Sequence, residues 1–196
     1  MSHDTSISAH HHAHEAPLEN VLRYFRYKKV APFVPRQSTV LDLGCGHDAY
    51  FLSKVKSKIK AGVGIDVALP DQSDAKLTFI RHDLNLPVPF PDHTFEVVVS
   101  LATLEHFVDY QKIINEMYRV LAPGGRLLLT TPSIYAKPVL DFLSYRLHLI
   151  NEELMDEHTG YFTKEKLERL LTTDGFSSPQ HRYFQFGMNN FILAKK

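Results

Sequence analysis

Apolar and polar positions along this chain switch between two periods, and the switching predicts its elements. From Pro17 to Val30, Leu18, Val21, Leu22, Phe25 and Val30 mostly recur at helical spacing, with Arg23, Arg26, Lys28 and Lys29 between them. That predicts a lead-in helix packed on a sheet, in which Tyr24 and Tyr27 serve packing before ligand contact. Short apolar runs bounded by turn residues predict strands at Thr39–Asp42, Ala61–Asp66, Leu77–Ile80, Phe95–Ser100 and Arg126–Thr131. Between them, Ala49–Lys58 reads as a helix burying Phe51, Leu52 and Val55. Asp109–Leu121 reads as another, with Ile113, Ile114, Met117 and Val120 inward. Pro87, Pro89 and Pro91 mark a surface loop, and Pro123-Gly124-Gly125 stops the second helix and turns the chain. Strands alternating with helices predict an α/β fold with an open, doubly wound parallel sheet.

Past the fifth strand the pattern changes. Val139, Leu140, Phe142, Leu143, Leu147, Leu149 and Ile150 give an apolar helical segment, and an acidic run follows from Asn151 to Glu157. An insertion at this point sits above the carboxyl ends of the strands, so a helical cap over the site is expected. Packing against a second subunit and contact with a membrane surface are the alternatives. Thr163 then caps a helix ending near Asp174-Gly175 that buries Leu167, Leu170 and Leu171. Phe176–Phe186 and Asn190–Ala194, joined through Gly187 to Asn189, read as a terminal hairpin.

Composition narrows the function classes. Lys plus Arg equals Asp plus Glu at 22 each among 196 residues, so nothing draws the whole chain to nucleic acid. A single cysteine, Cys45, excludes an intrachain disulfide and fits a reducing, cytoplasmic setting. No apolar run reaches the roughly 18 to 20 residues that span a bilayer, which leaves peripheral membrane contact open. Residues 1–16 are polar with His10, His11, His12 and His14 close together, and are expected to be a flexible tail or an expression remnant rather than a metal site.

The chemistry concentrates at Val40-Leu41-Asp42-Leu43-Gly44-Cys45-Gly46-His47-Asp48. A strand ends in a carboxylate, two glycines frame a tight turn, and a helix is expected to open near His47 or Asp48. Glycine tolerates positive φ, and its missing Cβ lets a ligand approach the backbone. Gly44-x-Gly46-x-x-Ala49 also fits the looser dinucleotide fingerprint, which keeps an NAD-dependent oxidoreductase as an alternative. Asp42 weighs against it, because a carboxylate there would repel a pyrophosphate and suit a cationic ligand. Asp66 ends the second strand 22 positions after Gly44, where an acid falls beside the ribose of a nucleotide held by the first turn. Its alternative role is to cap the residues that follow.

This segment resembles motif I of class I S-adenosylmethionine-dependent methyltransferases, and the order of elements after it agrees. The resemblance implies a Rossmann-like doubly wound seven-stranded sheet with a C-terminal antiparallel hairpin, formed by residues 17–196, and S-adenosyl-L-methionine as cofactor. It implies cofactor contacts from Asp42, Gly44, Cys45, Gly46, Asp66, Val67, Asp83, Leu84 and Ser100. Asp83 matches the acid that holds the adenine amino group in that family, with a local Asx turn as the competing account. Cys45 fits as a small turn residue rather than a nucleophile.

The acceptor is less defined. An Asp/Asn-Pro-Pro-aromatic stretch, typical of base amino-group methylation, is absent after the fourth strand, where Ser100-Leu101-Ala102-Thr103 stands. Leu104-Glu105-His106 resembles the small-molecule enzymes of quinone biosynthesis, the methyltransferase type 11 group. A hydroxyl acceptor benefits from a base titrating near neutrality, and His106 and His158 are the candidates. The expectation is O-methylation of a small-molecule, lipid-like or sugar hydroxyl, with C-, N- or nucleic-acid methylation as alternatives. Glu152, Glu153, Asp156 and His158 lack clear metal spacing, so no metal is expected.

Overall fold

The computed structural model describes residues 17–69, 72–107, 109–136 and 160–196. Alternation in the strands decides the layers. In β1 (Thr39–Leu43), β5 (Phe95–Leu101) and β6 (Leu121–Pro132), successive side chains point to opposite faces. Leu41, Leu43, Val98, Leu127 and Leu129 share one core with Ile113, Ile114, Met117 and Val120 of α3 (Tyr110–Val120) and Leu167 and Leu171 of α4 (Lys164–Thr173). Val40, Val97, Val99 and Leu128 share the other with Val30 of α1 (Pro17–Val30) and Phe51, Leu52 and Val55 of α2 (Tyr50–Val55). A strand apolar on both faces must be covered on both, and helices on both faces are the result.

The remaining strands are β2 (Ala61–Asp66), β3 (Gln72–Ser73), β4 (Leu77–Arg81), β7 (Ser177–Phe184) and β8 (Asn189–Lys195). The sheet order is β3-β4-β2-β1-β5-β6-β8-β7. Pairings from β4 through β6 are parallel, and β8 lies antiparallel to both β6 and β7. The seven expected strands and the terminal hairpin are present. The two-residue β3 is an addition, pairing antiparallel at the outer edge of β4.

Most strand ends differ from the sequence reading by a residue or two, and three places differ in kind. α2 begins at Tyr50 because Ala49 takes a left-handed φ of 46°, and it stops at Val55. β6 starts at Leu121, opposite Phe95, and the register then jumps so that Val97 faces Arg126; the residues between bulge out through Gly124 at φ 76°. Thr103 leads into a short 3-10 turn at Leu104–His106 before α3, whose N-terminus Asp109 caps by accepting from Lys112 N. Thr163 caps α4 as expected, accepting from Lys166 N at 3.2 Å. The segment 139–150, the acidic run and the His-rich tail lie outside the described residues. No helix among the described residues is long and apolar enough to cross a membrane.

The proline loop is sewn to α3 by Arg119. Its guanidinium donates to the carbonyls of Val88 at 2.9 Å and Phe90 at 2.7 Å, and pairs with Glu116 and Asp92. Glu116 in turn accepts from Val88 N at 2.7 Å. Hydrogen bonds to Arg119 hold both Glu116 and Asp92 below the usual carboxylate range. A carboxyl depressed in the folded state contributes above its unfolded pKa and loses that contribution as pH falls through its folded value. Arg119→Met should therefore cost about 1–3 kcal/mol in urea unfolding at neutral pH. The gap from wild type should begin to narrow below about pH 4, where these carboxylates protonate in the unfolded chain, and close as pH falls through their lower folded values.

Candidate cofactor and acceptor cleft

The order of strands reverses at β1, which has β2 on one side and β5 on the other. Chains leaving β1 and β5 diverge, and the crevice between them is where open α/β sheets hold ligands. A cleft of about 690 Å³ opens there. Its floor is Asp42 with the turn Gly44, Cys45 and Gly46; Asp66 and Val67 form one side, and Thr103 and His106 the other. From α1, Glu19, Arg23, Arg26 and Tyr27 close it above.

The turn's shape has a specific cause. Gly44 has φ 75° and Gly46 φ 73°, in the left-handed region. A Cβ on Gly44 would lie 2.2 Å from Cγ2 and 2.4 Å from Oγ1 of Thr103. Thr103 Oγ1 also donates to Gly44 O at 3.4 Å. The two loops thus interlock, and only a residue without a side chain fits. Asp66 fastens the turn from β2: its Oδ2 accepts from Gly46 N at 2.9 Å and its Oδ1 from Ala68 N at 3.0 Å. Each carboxylate oxygen retains a second lone pair for a ligand hydroxyl. Both readings of Asp66 are therefore compatible, since capping and ligand contact use different lone pairs.

Asp42 is 2% exposed. Burial, with Asp66 adding, pushes its pKa up to about 8. Burial likewise pushes the Cys45 thiol up, reinforced by Asp42 and Asp66, so it stays a neutral thiol. Arg23 ion-pairs with Asp48 and stacks over the Tyr50 ring at 4.9 Å, while Tyr27 packs edge-on against Tyr50 and Phe51. α1 is thereby held across the glycine turn. Glu105, beside His106, is fully buried, and burial raises its pKa to about 7 against the pull of Arg26.

Six of the nine residues expected to contact cofactor line this cleft: Asp42, Gly44, Cys45, Gly46, Asp66 and Val67. His106 lines it too. The other three do not. Asp83 forms an Asx turn, its Oδ1 accepting from Asn85 N and Nδ2, both at 2.9 Å. Leu84 belongs to the apolar core, and Ser100 is fully buried on β5. His158 lies outside the described residues. Sequence reasoning missed Glu19, Arg23 and Arg26, although their spacing of four and three residues placed them on one helical stripe. Among the described residues no group of three or more His, Cys, Asp or Glu could hold a metal ion.

The residues suit a sulfonium ligand better than a dinucleotide: a bare-backbone turn, a desolvated carboxylate at its foot, and a second carboxylate at the next strand tip. The fold agrees. A chain of the complex between the Haloferax volcanii Trm112 methyltransferase activator and a putative methyltransferase superposes with TM-score 0.70 at 15% identity, over 92% of this chain and 94% of that one. Residues 9–180 match a methyltransferase domain family, and the chain belongs to it; this is the class I S-adenosylmethionine-dependent group that the motif resembled, and S-adenosyl-L-methionine is its cofactor. A probable S-adenosylmethionine-dependent methyltransferase of Mycolicibacterium smegmatis is 30% identical over 142 residues, 70% of this chain and 51% of its own. Demethylmenaquinone methyltransferase of Thermus thermophilus is 36% identical over 100 residues, 46% of this chain and 45% of its own. Human probable tRNA methyltransferase 9B is 31% identical over 142 residues, 66% of this chain and 31% of its own. The chain thus spans about half the length of these relatives, or less.

Two outcomes follow from the geometry. Gly44→Ala should destabilise the fold by about 1–3 kcal/mol through overpacking and positive-φ strain. Adding Thr103→Ala should restore part of that loss, read by urea unfolding. For Asp42, a folded pKa above the unfolded value means stability is present below about pH 4 and lost as pH rises toward about 8. Asp42→Asn should then melt above wild type at pH 8 in ligand-free protein, with the difference shrinking toward pH 5.

Proposed function

We propose that this chain transfers a methyl group from S-adenosyl-L-methionine to the hydroxyl oxygen of a small-molecule, lipid-like or sugar acceptor. When bound, the cofactor supplies a methyl group already activated by a sulfonium charge. Asp42 would face its cationic end, Gly44, Cys45 and Gly46 would run beneath it, and Asp66 with Val67 would meet the ribose. Asp83 would act from the rim, outside the cleft wall; Leu84 and Ser100 would serve packing. The chain's own work is to align the acceptor, exclude water and take its proton. His106 accepts that proton on an imidazole nitrogen, and His158 is held as a second candidate base.

The observation that carries this reading is that His106 shares one cleft with Asp42, Asp66 and the glycine turn. A second reading, methylation at carbon, is favoured by similarity to a ubiquinone/menaquinone biosynthesis C-methyltransferase of Enterobacter sp.. Loss of a phenolic proton makes the neighbouring ring carbon nucleophilic, so the same base serves both. The tRNA methyltransferase relative keeps RNA among the acceptors to be screened, while the balance of 22 cationic and 22 anionic side chains favours a small one.

Calorimetric titration with S-adenosylhomocysteine tests the cofactor half. Micromolar binding, about −8 kcal/mol, is expected, weakened by about 1–3 kcal/mol in Asp66→Ala. A screen with radiolabelled methyl donor over phenols, sugars, quinols and RNA tests the acceptor half. His106→Gln should lower kcat by about 10²–10⁴-fold and leave S-adenosylhomocysteine affinity unchanged. Absence of S-adenosylhomocysteine binding to wild type would end the proposal.

A further inference from the structure

α1 has a side that neither the sheet nor the cleft uses. Tyr27 and Val30 pack on the core, and Glu19, Arg23 and Arg26 line the cleft. Facing away are Val21, Tyr24 and Phe25, each about half exposed, with Lys28 beside them. A surface helix ordinarily turns charge outward, so three large apolar side chains there stand unpartnered.

The tip of the β7–β8 hairpin adjoins this side. Gln185 Nε2 donates to Leu22 O at 3.2 Å, and Lys29 Nζ lies 5.8 Å from the centre of the Phe184 ring. Phe186, next in the tip, is fully exposed and held at φ 57°. An aromatic residue in the left-handed region is strained and persists only where its neighbours fix the backbone. Here they do. Gly187 N donates to Phe184 O at 3.1 Å, Ser133 Oγ to Gly187 O at 2.6 Å, and Ser133 N to Met188 O at 2.9 Å. The tip is thus anchored so as to hold a phenyl ring out in solvent.

Charge decides what meets it. Residues 20–38 and 175–196 carry five and three Lys or Arg and no Asp or Glu, in a chain whose totals balance. Lys28 and Arg182 are exposed, and burial together with Arg182 lowers the pKa of Lys29. Protruding rings beside cations on long apolar stems suit a bilayer interface: the rings enter the headgroup boundary and the cations meet lipid phosphates.

We infer that the outer side of α1 and the β7–β8 tip dock on a bilayer containing anionic phospholipid. Val21, Phe25 and Phe186 enter it, and Lys28 and Arg182 rest on its phosphates. The inference goes beyond methyl transfer and holds whatever the acceptor is. The other side of α1 lines the cleft, so a docked bilayer lies about 10 Å, one helix diameter, from the cleft.

Co-sedimentation of the full chain with vesicles tests this, at about pH 8 so that the His-rich tail is uncharged. Vesicles of phosphatidylcholine alone are compared with equal parts phosphatidylcholine and phosphatidylglycerol. Wild type should bind the mixed vesicles at least about tenfold more tightly, an advantage that salt erodes. Phe25→Ser/Phe186→Asn should weaken mixed-vesicle binding by about 10–100-fold. Lys28→Gln/Arg182→Gln should weaken it by about 10–30-fold and leave phosphatidylcholine affinity unchanged. Phe186→Asn alone should melt no lower than wild type, since asparagine tolerates the left-handed region; a markedly lower melting temperature would make Phe186 a packing residue and count against the inference. Wild type that binds neither vesicle overturns it. So does binding that either double variant leaves intact, which puts the contact elsewhere on the chain or on charge alone. A vesicle-free dimer that Phe186→Asn splits assigns the face to a second copy and overturns it too. S-adenosylhomocysteine affinity should be the same in every variant, so failure here leaves the cofactor reading standing.

Discussion

Two carboxylates stand at adjacent strand tips of one cleft, and the site is built around the cost of desolvating them. Asp42 bears most of it: desolvation and the neighbouring Asp66 favour its protonated form when no cation is near. Asp66 is relieved by two backbone N–H donors, from Gly46 and Ala68, which disperse its charge. The difference between the two acids follows from where the backbone turns. β1 ends beneath a loop whose amides point elsewhere, whereas β2 ends beside them. A ligand that is positive at its centre relieves Asp42 on arrival, while a pyrophosphate would aggravate it. The ligand-free cleft therefore discriminates by charge before any shape is read.

Strand order explains why so few residues suffice. Because β5 lies beside β1, the residue three positions beyond Ser100 meets the one two positions beyond Asp42, and the Thr103 methyl presses on the bare Cα of Gly44. The same 3-10 turn then delivers Glu105 inward and His106 to the cleft within one revolution. The loops that follow β5 and β1 are thus mutually braced, and each fixes the other's backbone. α1 completes the enclosure through side chains that reach down rather than through its backbone.

Much of this was legible in the chain. Strands were visible because buried parallel strands are apolar on both faces, and Val97-Val98-Val99 and Leu127-Leu128-Leu129 split cleanly between the two cores. The glycine turn was visible because its residue types have few other uses. Lengths were less so. Ala49 carries no sequence mark of the left-handed φ that delays α2, and the bulge that starts β6 early depends on pairing with Phe95, a contact local propensity does not encode. The role of α1 was hidden for a related reason: Arg23 and Arg26 read only as polar positions between apolar ones until tertiary packing brings both to the cleft and Arg23 over Tyr50. Asp83 illustrates the reverse, a position matched by motif that stands outside the cleft lining, its Oδ1 held in a local Asx turn.

The far end of β6 carries one more arrangement. Ser133 and Phe162 form a lone parallel bridge, and the buried amide of Asn190 donates to Phe162 O at 3.1 Å and Pro132 O at 3.3 Å while His181 meets its oxygen at 2.8 Å. The points where the chain departs from the sheet and returns to it are thus clamped together by a neighbouring strand. A detour with both feet fixed adds closure entropy only slowly as it lengthens. Whatever lies between those feet can change in length or chemistry while β6 and β8 keep their register.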